Sequence, residues 1–392
     1  MKTLVLLIIG LVTTSITFAQ KPEKVYSIVK EMRSEEWYKT QAKLWEAETK
    51  KNKKNAEAWY YYYSANRALK NISWQDSTKR NAYFKACTKI VEDAYKAVPN
   101  SFEANHLQWW HSFNDKKKIS YLEKAYQINP QDPRTYSDLM CEYALEFNEA
   151  KVNEFARKLF NVNDMPGSAY NWAYNLLSDA EPNAIILTAG DNDTFLPWIV
   201  QQVFNYRKDV TIMNTSLLGL DDYRKRLFEK INIPAFDKSM GNAVSYEQSI
   251  SRQKELFDHI FKQNENIPIY VSSTALHQFQ KHYSDHLYLV GITYKYCEHT
   301  VDNLAYIKRN YEKRYQLDYL NQDFSFHPLN KKTNEFNVYY LQAFVKLFWH
   351  YTDSEEIQKA EIIKKQIIDI ATNGNQKEFL KQWTDELKKQ VK

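Results

Sequence analysis

The stretch Asn183-Ala184-Ile185-Ile186-Leu187-Thr188-Ala189-Gly190-Asp191-Asn192-Asp193-Thr194-Phe195 decides how this chain is read. Its first half is a continuous apolar run of strand length, without the alternation that leaves one face wet. Its second half is a polar turn, and a helical pattern follows from Thr194 to Tyr206. A second strand-like segment, Asp209 to Asn214, comes next. Further on, a helix over Tyr246 to Lys262 precedes strand-like segments at Pro268 to Ser272 and His286 to Tyr294. Strands alternating with helices, apolar on both faces, predict a small Rossmann-like parallel sheet of four strands. With the bridging helix at Tyr170 to Ser178, this α/β domain spans residues 167–300.

Outward from this block the pattern is helical on both sides. From Glu23 to Pro166 it is aromatic and punctuated by Pro99, Pro130 and Pro166, at spacings of 31 and 36 residues. These bracket the 34 of a tetratricopeptide repeat. In the clearest unit Tyr136, Leu139, Met140 and Tyr143 share one face of a first helix, and Val152, Phe155, Ala156 and Leu159 share the facing side of a second. Leu122, Ala125 and Pro130 close the preceding unit, while Trp59, Tyr62 and Tyr63 open an earlier one. Residues 20–166 are expected to form tetratricopeptide-like helix pairs, an irregular bundle being the alternative. Residues 301–392 return to repeat-like helices at Asn334 to His350, Thr352 to Ala371 and Gln376 to Lys389. Thr352-Asp353-Ser354-Glu355 reads as a capping box, Ile357, Ala360, Ile363 and Ile367 as a buried stripe, and Gly374 as the stop. The fold class is α/β plus all-α.

Composition excludes several function classes. The 392 residues are 44% hydrophobic and 26% charged, enough for packed cores in two or three domains. Only seven glycines occur, against about 27 at average usage. No G-x-G-x-x-G and no P-loop is present, which disfavours dinucleotide oxidoreductases and P-loop NTPases. The net charge of +5 is unremarkable, and the lysine runs at Lys50, Lys51, Lys53, Lys54 and Lys116 to Lys118 read as solvated faces, so no nucleic-acid partner is expected. Cys87, Cys141 and Cys297 stand too far apart for a metal knuckle and read as buried thiols with at most one disulfide. Lys2, the apolar run Leu4 to Val12 and Thr17-Phe18-Ala19 before Gln20 read as a secretory signal peptide over residues 1–19. The mature chain is then exported, periplasmic or associated with the cell envelope, and not membrane-spanning after cleavage.

The candidate chemistry lies at the strand ends. In open α/β sheets ligands bind outside the carboxyl ends of strands, and Asp191, Asn192, Asp193 and Thr194 follow the first strand directly. Asn214, Ser216 and Asp222 follow the second, and Ser272 and Ser273 end the third. Asp191, Asp193, Asn214 and Ser272 are predicted to share one sheet edge, an acceptor-rich crevice suited to a sugar, a peptide terminus or a hydrated cation. Asp191 and Asp193 can also direct hard oxygens at Mg²⁺ or Ca²⁺. The competing reading makes Asp193 or Thr194 a helix cap and Gly190 a residue with an unusual backbone angle. A haloacid-dehalogenase template fails because Thr194 comes one residue too early, and the Asp-x-Asp of nucleotide-sugar transferases is matched only as a bare triplet. No G-x-S-x-G occurs, and His277, His282 and His286 read as surface or core histidines. Among the aromatic residues, 15% of the chain, Trp59, Tyr60, Trp109 and Trp110 are candidates to line a partner groove for a peptide or glycan, with core packing the competing role.

Asn183-Ala184-Ile185-Ile186-Leu187, Gly190-Asp191-Asn192-Asp193-Thr194-Phe195, Trp198, Asp209-Val210, and Asn214 followed by Ser216-Leu217-Leu218 also resemble a known family. They look like the soluble carboxy-terminal region of protein-O-mannosyltransferase-like membrane proteins of Bacteroidota, over roughly Tyr170 to Ala371. The family pattern continues Pro-Leu-Trp where this chain has Leu196-Pro197-Trp198. The resemblance does not extend to the membrane-embedded transferase half, so it implies an extracytoplasmic binding or accessory role and no transferase activity. The expectation is an exported, non-catalytic scaffold or adaptor without cofactor, whose repeats bind an envelope protein complex or peptide partner and whose α/β domain accepts a small polar ligand. The alternative is a Mg²⁺- or Ca²⁺-dependent enzyme acting on glycans or phosphoesters through Asp191 and Asp193.

Overall fold

Short polar side chains start the helices of the amino-terminal part. Ser34, Asn55, Asp76 and Ser101 each accept a hydrogen bond from the amide three residues on, satisfying a donor that the first turn leaves unpaired. The computed structural model describes residues 21–112, 116–241, 245–321 and 327–390, and the expected signal peptide lies outside the described residues. The chain divides into two compact units, Met1–Ile28 with Met32–Tyr121, and Val29–Glu31 with Leu122–Lys392. The division falls upstream of the Pro166 boundary expected from the proline spacing, inside the helix Ile119–Ile128.

In the first unit α1 (Glu35–Lys51), α2 (Ala56–Ile72), α3 (Ser77–Ala97) and α4 (Phe102–His111) are joined by three loops, Asn52–Asn55, Ser73–Asp76 and Val98–Ser101. Each loop closes with the same turn, its fourth residue donating to the carbonyl of its first at 3.0 Å. Successive helices pack on one another, and α4 also packs on α2. Ala58, Ala65 and Ala68 on α2 and Ala94 on α3 are buried, small enough for backbones to approach closely.

The second unit is mostly helical around a small mixed sheet. It holds the end of α5 (Ile119–Ile128), then α6 (Tyr136–Leu145), α7 (Glu149–Asn161) and α8 (Gly167–Asp179). There follow β1 (Ile185–Thr188), α9 (Asn192–Phe204), β2 (Thr211–Asn214), α10 (Asp221–Lys230), α11 (Tyr246–Phe261), β3 (Ile269–Ser272) and α12 (Gln280–Tyr283). The remainder is β4 (Leu287–Leu289), β5 (Thr293–Tyr296), α13 (Asn303–Lys313), α14 (Asp318–Asn321), α15 (Asn330–Asn337), α16 (Leu341–Asp353), α17 (Ile357–Asn373) and α18 (Lys377–Gln390). Helices α6 and α7 pack as a pair, and of the residues expected at their interface all are buried except Tyr143, which is half-buried.

The strand order is β2-β1-β3-β5-β4. The first three strands are parallel, whereas β5 runs antiparallel to β3 and β4 antiparallel to β5. This corrects the expected four-stranded parallel sheet: the segment His286 to Tyr294 is not one strand but breaks at Val290-Gly291-Ile292 into a hairpin. One face buries Ile185, Leu187, Met213, Ile269 and Val271 against Leu227, Phe228, Leu256, Phe257, Ile260 and Phe279. On the other face the last residue row is polar: Asn214 pairs with Thr188 and Ser272 with Thr293, all four buried.

Two carboxy-terminal expectations are also corrected. Thr352 and Asp353 still belong to α16, and the Thr352 and Ser354 hydroxyls donate back to the Phe348 and His350 carbonyls, so no capping box forms. Glu355 takes a left-handed φ of 59°, and α17 begins only at Ile357. Ala360, Ile363 and Ile367 are buried, but Ile357 is 60% exposed because it occupies the first helical position. Among the described residues no helix is long and apolar enough to cross a membrane, and the three cysteines are free and buried.

Candidate functional site

The turn between β1 and α9 is built around a carboxylate that faces inward. Asp193, 2% exposed, accepts the amides of Ala189 at 2.9 Å and Gly190 at 2.7 Å, and also the Thr274 hydroxyl from beyond β3. Burial pushes its carboxyl above the ordinary value, while the Thr274 hydroxyl and the amides pull it back. Thr194 donates to the Gly190 carbonyl at 2.7 Å and shares a 2.8 Å bond with the Thr188 hydroxyl. Asn214 reaches over from β2, its amide donating to Thr194 Oγ1 at 2.9 Å and its oxygen accepting the Ser216 amide at 2.8 Å and the Leu217 amide at 3.1 Å. Ser272 bonds Thr274 at 2.7 Å. Asp193, Thr194, Asn214 and Ser272 are thus gathered at the carboxyl edge of the parallel strands, in two hydrogen-bonded groups, Asp193 with Thr274 and Ser272, and Thr194 with Thr188 and Asn214, which meet at the Gly190 backbone.

The other candidates lie around this network. Asp191, Ser216 and Asp222 are exposed, Ser273 is half-buried, and the Asn192 side chain donates to the Val29 carbonyl at 2.8 Å. Gly190 has no positive φ, and a Cβ there would meet only Asp193 Oδ1 at an ordinary 3.4 Å, so the unusual backbone angle expected of it is absent.

A second buried carboxylate was not anticipated. Asp179, at the end of α8, accepts the Ile292 amide, the Thr293 hydroxyl and the Asn310 amide group, each at 2.9 Å, together with the Tyr315 hydroxyl. Burial raises its carboxyl to about 6, against the hydrogen bonds that favour the charged form. Gly291 passes so close that a Cβ would overlap the Tyr315 hydroxyl and the Asp179 carboxylate. A signal was present in the sequence: an acid in the last turn of an apolar helix opposes the helix dipole and needs a specific partner.

A model of TMEM260-associated domain 2 matches residues 169–372, just over half of the chain. The chain belongs to the TMEM260-associated domain 2 family. The matched region runs from α8 almost to the end of α17, taking in the whole sheet and both buried carboxylates. It nearly coincides with Tyr170 to Ala371, the stretch that carries the sequence resemblance. No curated protein matches the chain.

Within the TMEM260-associated domain, Arg207 and Asp209 secure the entry to the sheet. Arg207 donates to the carbonyls of Leu177 (3.0 Å), Ala180 (2.8 Å) and Glu181 (2.8 Å) and forks onto Asp209 at 2.9 Å. Asp209 also accepts the amide of Asn183, which sits at a left-handed φ of 58°. The Arg207 guanidinium holds the Asp209 carboxyl below its usual range. Among the described residues no group of three or more His, Cys, Asp or Glu is arranged to hold a metal ion. His277 and His282 are exposed and His286 is half-buried.

In the first unit the aromatic candidates divide. Trp59, Tyr60 and Trp109 are buried, so they are core residues and not groove-lining ones. Trp110 is half-buried, stacked on Tyr60 (5.7 Å, 11°) and His106 (5.7 Å, 7°), with the Arg67 guanidinium 4.1 Å over its ring. The helix packing consumes the other rings because each lies on the face turned to a neighbouring helix.

Proposed function

We propose that this protein is an exported, non-catalytic scaffold or adaptor of the cell envelope, whose helical pairs bind a protein or peptide partner and whose sheet domain is a structural platform. The observation that carries the reading is Asp193: the residue that gives the turn its catalytic look is buried, and both its oxygens are engaged by backbone and Thr274 donors. A tetratricopeptide-like organisation is supported by the recurrence of one connection, since Asn129–Asp132 closes as Asn52–Asn55, Ser73–Asp76 and Val98–Ser101 do and is likewise followed by a capped helix start. A Rossmann-like core is supported by the three parallel strands with intervening helices. The Gly190 to Phe195 motif and the family match support kinship with the extracytoplasmic part of protein-O-mannosyltransferase-like proteins of Bacteroidota. Asp191, Ser216 and Asp222, which are exposed, and the half-buried Ser273 are the residues of the sheet domain left to meet a small polar ligand or a glycan in this reading.

The test is to isolate the mature chain from its native envelope under gentle crosslinking and identify what accompanies it. A reproducible set of envelope proteins, retained by the Asp191→Ala variant, is the expected result. A chain that emerges alone and is stabilised by Mg²⁺ or Ca²⁺ in an Asp191-dependent manner overturns the scaffold reading in favour of a metal-dependent enzyme.

A further inference from the structure

The loop that follows α10 is fixed from two helices. Arg224, 3% exposed, donates to the carbonyls of Leu218 at 2.7 Å and Lys238 at 3.0 Å and pairs with Asp221 at 2.9 Å. Asp221 in turn accepts the Ser239 hydroxyl and, at 3.0 Å, the Met240 amide. From the other side, Arg252 of α11 donates to the Ser239 carbonyl at 2.7 Å. A surface loop held at three consecutive residues is pre-organised, which lowers the entropy lost when something binds against it.

Beside this loop lies a cavity of about 530 Å³, lined by Lys238, Ser239, Gln248, Ser251, Arg252 and Glu255. That volume lies within the range of small-molecule sites, but no apolar side chain lines it, so it suits a hydrated, hydrogen-bonding occupant. Gln248, Ser251, Arg252 and Glu255 follow the three- and four-residue spacing that presents one helix face. The charges are unequal. Lys238 and Glu255 neutralise each other at 2.6 Å, which leaves Arg252 as the uncompensated charge of the lining. Arg252 uses one N–H on Ser239, and its other donors have no protein partner among the described residues. A guanidinium with spare donors matches an oxyanion better than a neutral group.

We infer that this cavity binds a sugar-sized molecule bearing an oxyanion, a carboxylate or a phosphate, which Arg252 holds while Ser251 serves its hydroxyls. The site is separate from the Asp193 network and does not depend on the scaffold reading.

Titration calorimetry of the full mature chain at low salt tests it, with glucuronate, glucose 6-phosphate, inorganic phosphate and glucose as probes. One or both sugar acids should bind, with their ratio naming the oxyanion, and glucose should not. Arg252→Gln should weaken that binding about tenfold or more, the value of a charge-assisted hydrogen bond. Glu255→Gln removes a competing carboxylate and releases Lys238, and should tighten it. This second variant disturbs only an exposed pair and keeps the test open if Arg252→Gln fails to fold. Absence of binding by both acids, affinities that neither variant alters, or inorganic phosphate binding as tightly as either sugar acid would overturn the proposal.

Discussion

Asp193 and Thr274 stand 81 residues apart in the chain and share a hydrogen bond that ties the β1–α9 turn to the segment after β3. The same carboxylate holds two amides that the end of β1 leaves without strand partners. Removing it takes the acceptor from three donors at a part-buried turn. Asp193→Ala is therefore expected to cost about 2–4 kcal/mol of unfolding free energy, measured by urea denaturation. Asp191→Ala, at an exposed position, should cost about 1 kcal/mol or less. Equal losses at the two positions would contradict the assignment of Asp193 as the structural member of the pair.

Asp179 predicts a pH dependence with a defined sign. Its folded carboxyl lies near 6, above the ordinary 3.8, so the folded state binds its proton more tightly than the unfolded state does. The resulting stabilisation is complete below about pH 4 and is lost as pH rises through 6. Against Asp179→Asn, which does not titrate, the wild type should lose about 2 kcal/mol between pH 4 and pH 7. Carboxylates held low elsewhere, such as Asp209 and Asp221, act in the opposite direction, so the informative quantity is the difference between the two proteins across that window. A difference that stays constant with pH would show that Asp179 keeps an ordinary carboxyl.

Two glycines separate close packing from spare room. Gly291 lies against the Tyr315 hydroxyl and the Asp179 carboxylate, whereas Gly190 has ordinary contact distance to its nearest neighbour. Gly291→Ala must push apart α8, the β4–β5 hairpin and the segment carrying Tyr315, at an expected cost of about 2–4 kcal/mol. Gly190→Ala should stay within about 0.5 kcal/mol of wild type. Thermal melts of both variants at one pH decide the matter, and the reverse ranking would refute it.

These sites show why part of the structure was legible in the sequence. β1 and β3 are buried on both faces, and that burial is written in the apolar runs Ala184 to Ala189 and Ile269 to Val271. The pairing of α6 with α7 was legible because Val152, Phe155, Ala156 and Leu159 repeat at helical spacing. The break at Gly291 was not, because what fixes it is a hydrogen bond from the Ile292 amide to a carboxylate 113 residues upstream. Thr352 to Glu355 has the residues of a capping box, but α16 runs through its first half. Local preference there yields to the packing of α16 on α17. At the acidic turn, residue type alone left capping and ligand binding both open. Neither Asp193 nor Thr194 caps α9, which already begins at Asn192; the Asp193 carboxylate turns back to the Ala189 and Gly190 amides and to Thr274, a direction set by the tertiary fold and not by residue type.

Arg207 offers a test in which charge is kept and shape is changed. Its fork reaches three carbonyls around the end of α8 and both oxygens of Asp209, a geometry that one ammonium cannot reproduce. Arg207→Lys should therefore cost about 1–3 kcal/mol despite conserving the charge. The Asp209 carboxyl, held low chiefly by its hydrogen bond from Arg207, should at the same time titrate closer to its ordinary value. For a carboxyl held low, the stabilisation is present at neutral pH and lost on acidification, so the variant should also lose less stability between pH 5 and pH 3 than the wild type does. Carbon-detected NMR titration of Asp209 follows the carboxyl directly. If its midpoint were unchanged in Arg207→Lys while stability fell, the fork would matter only for the carbonyls of α8, and the pairing with Asp209 would be incidental to the fold.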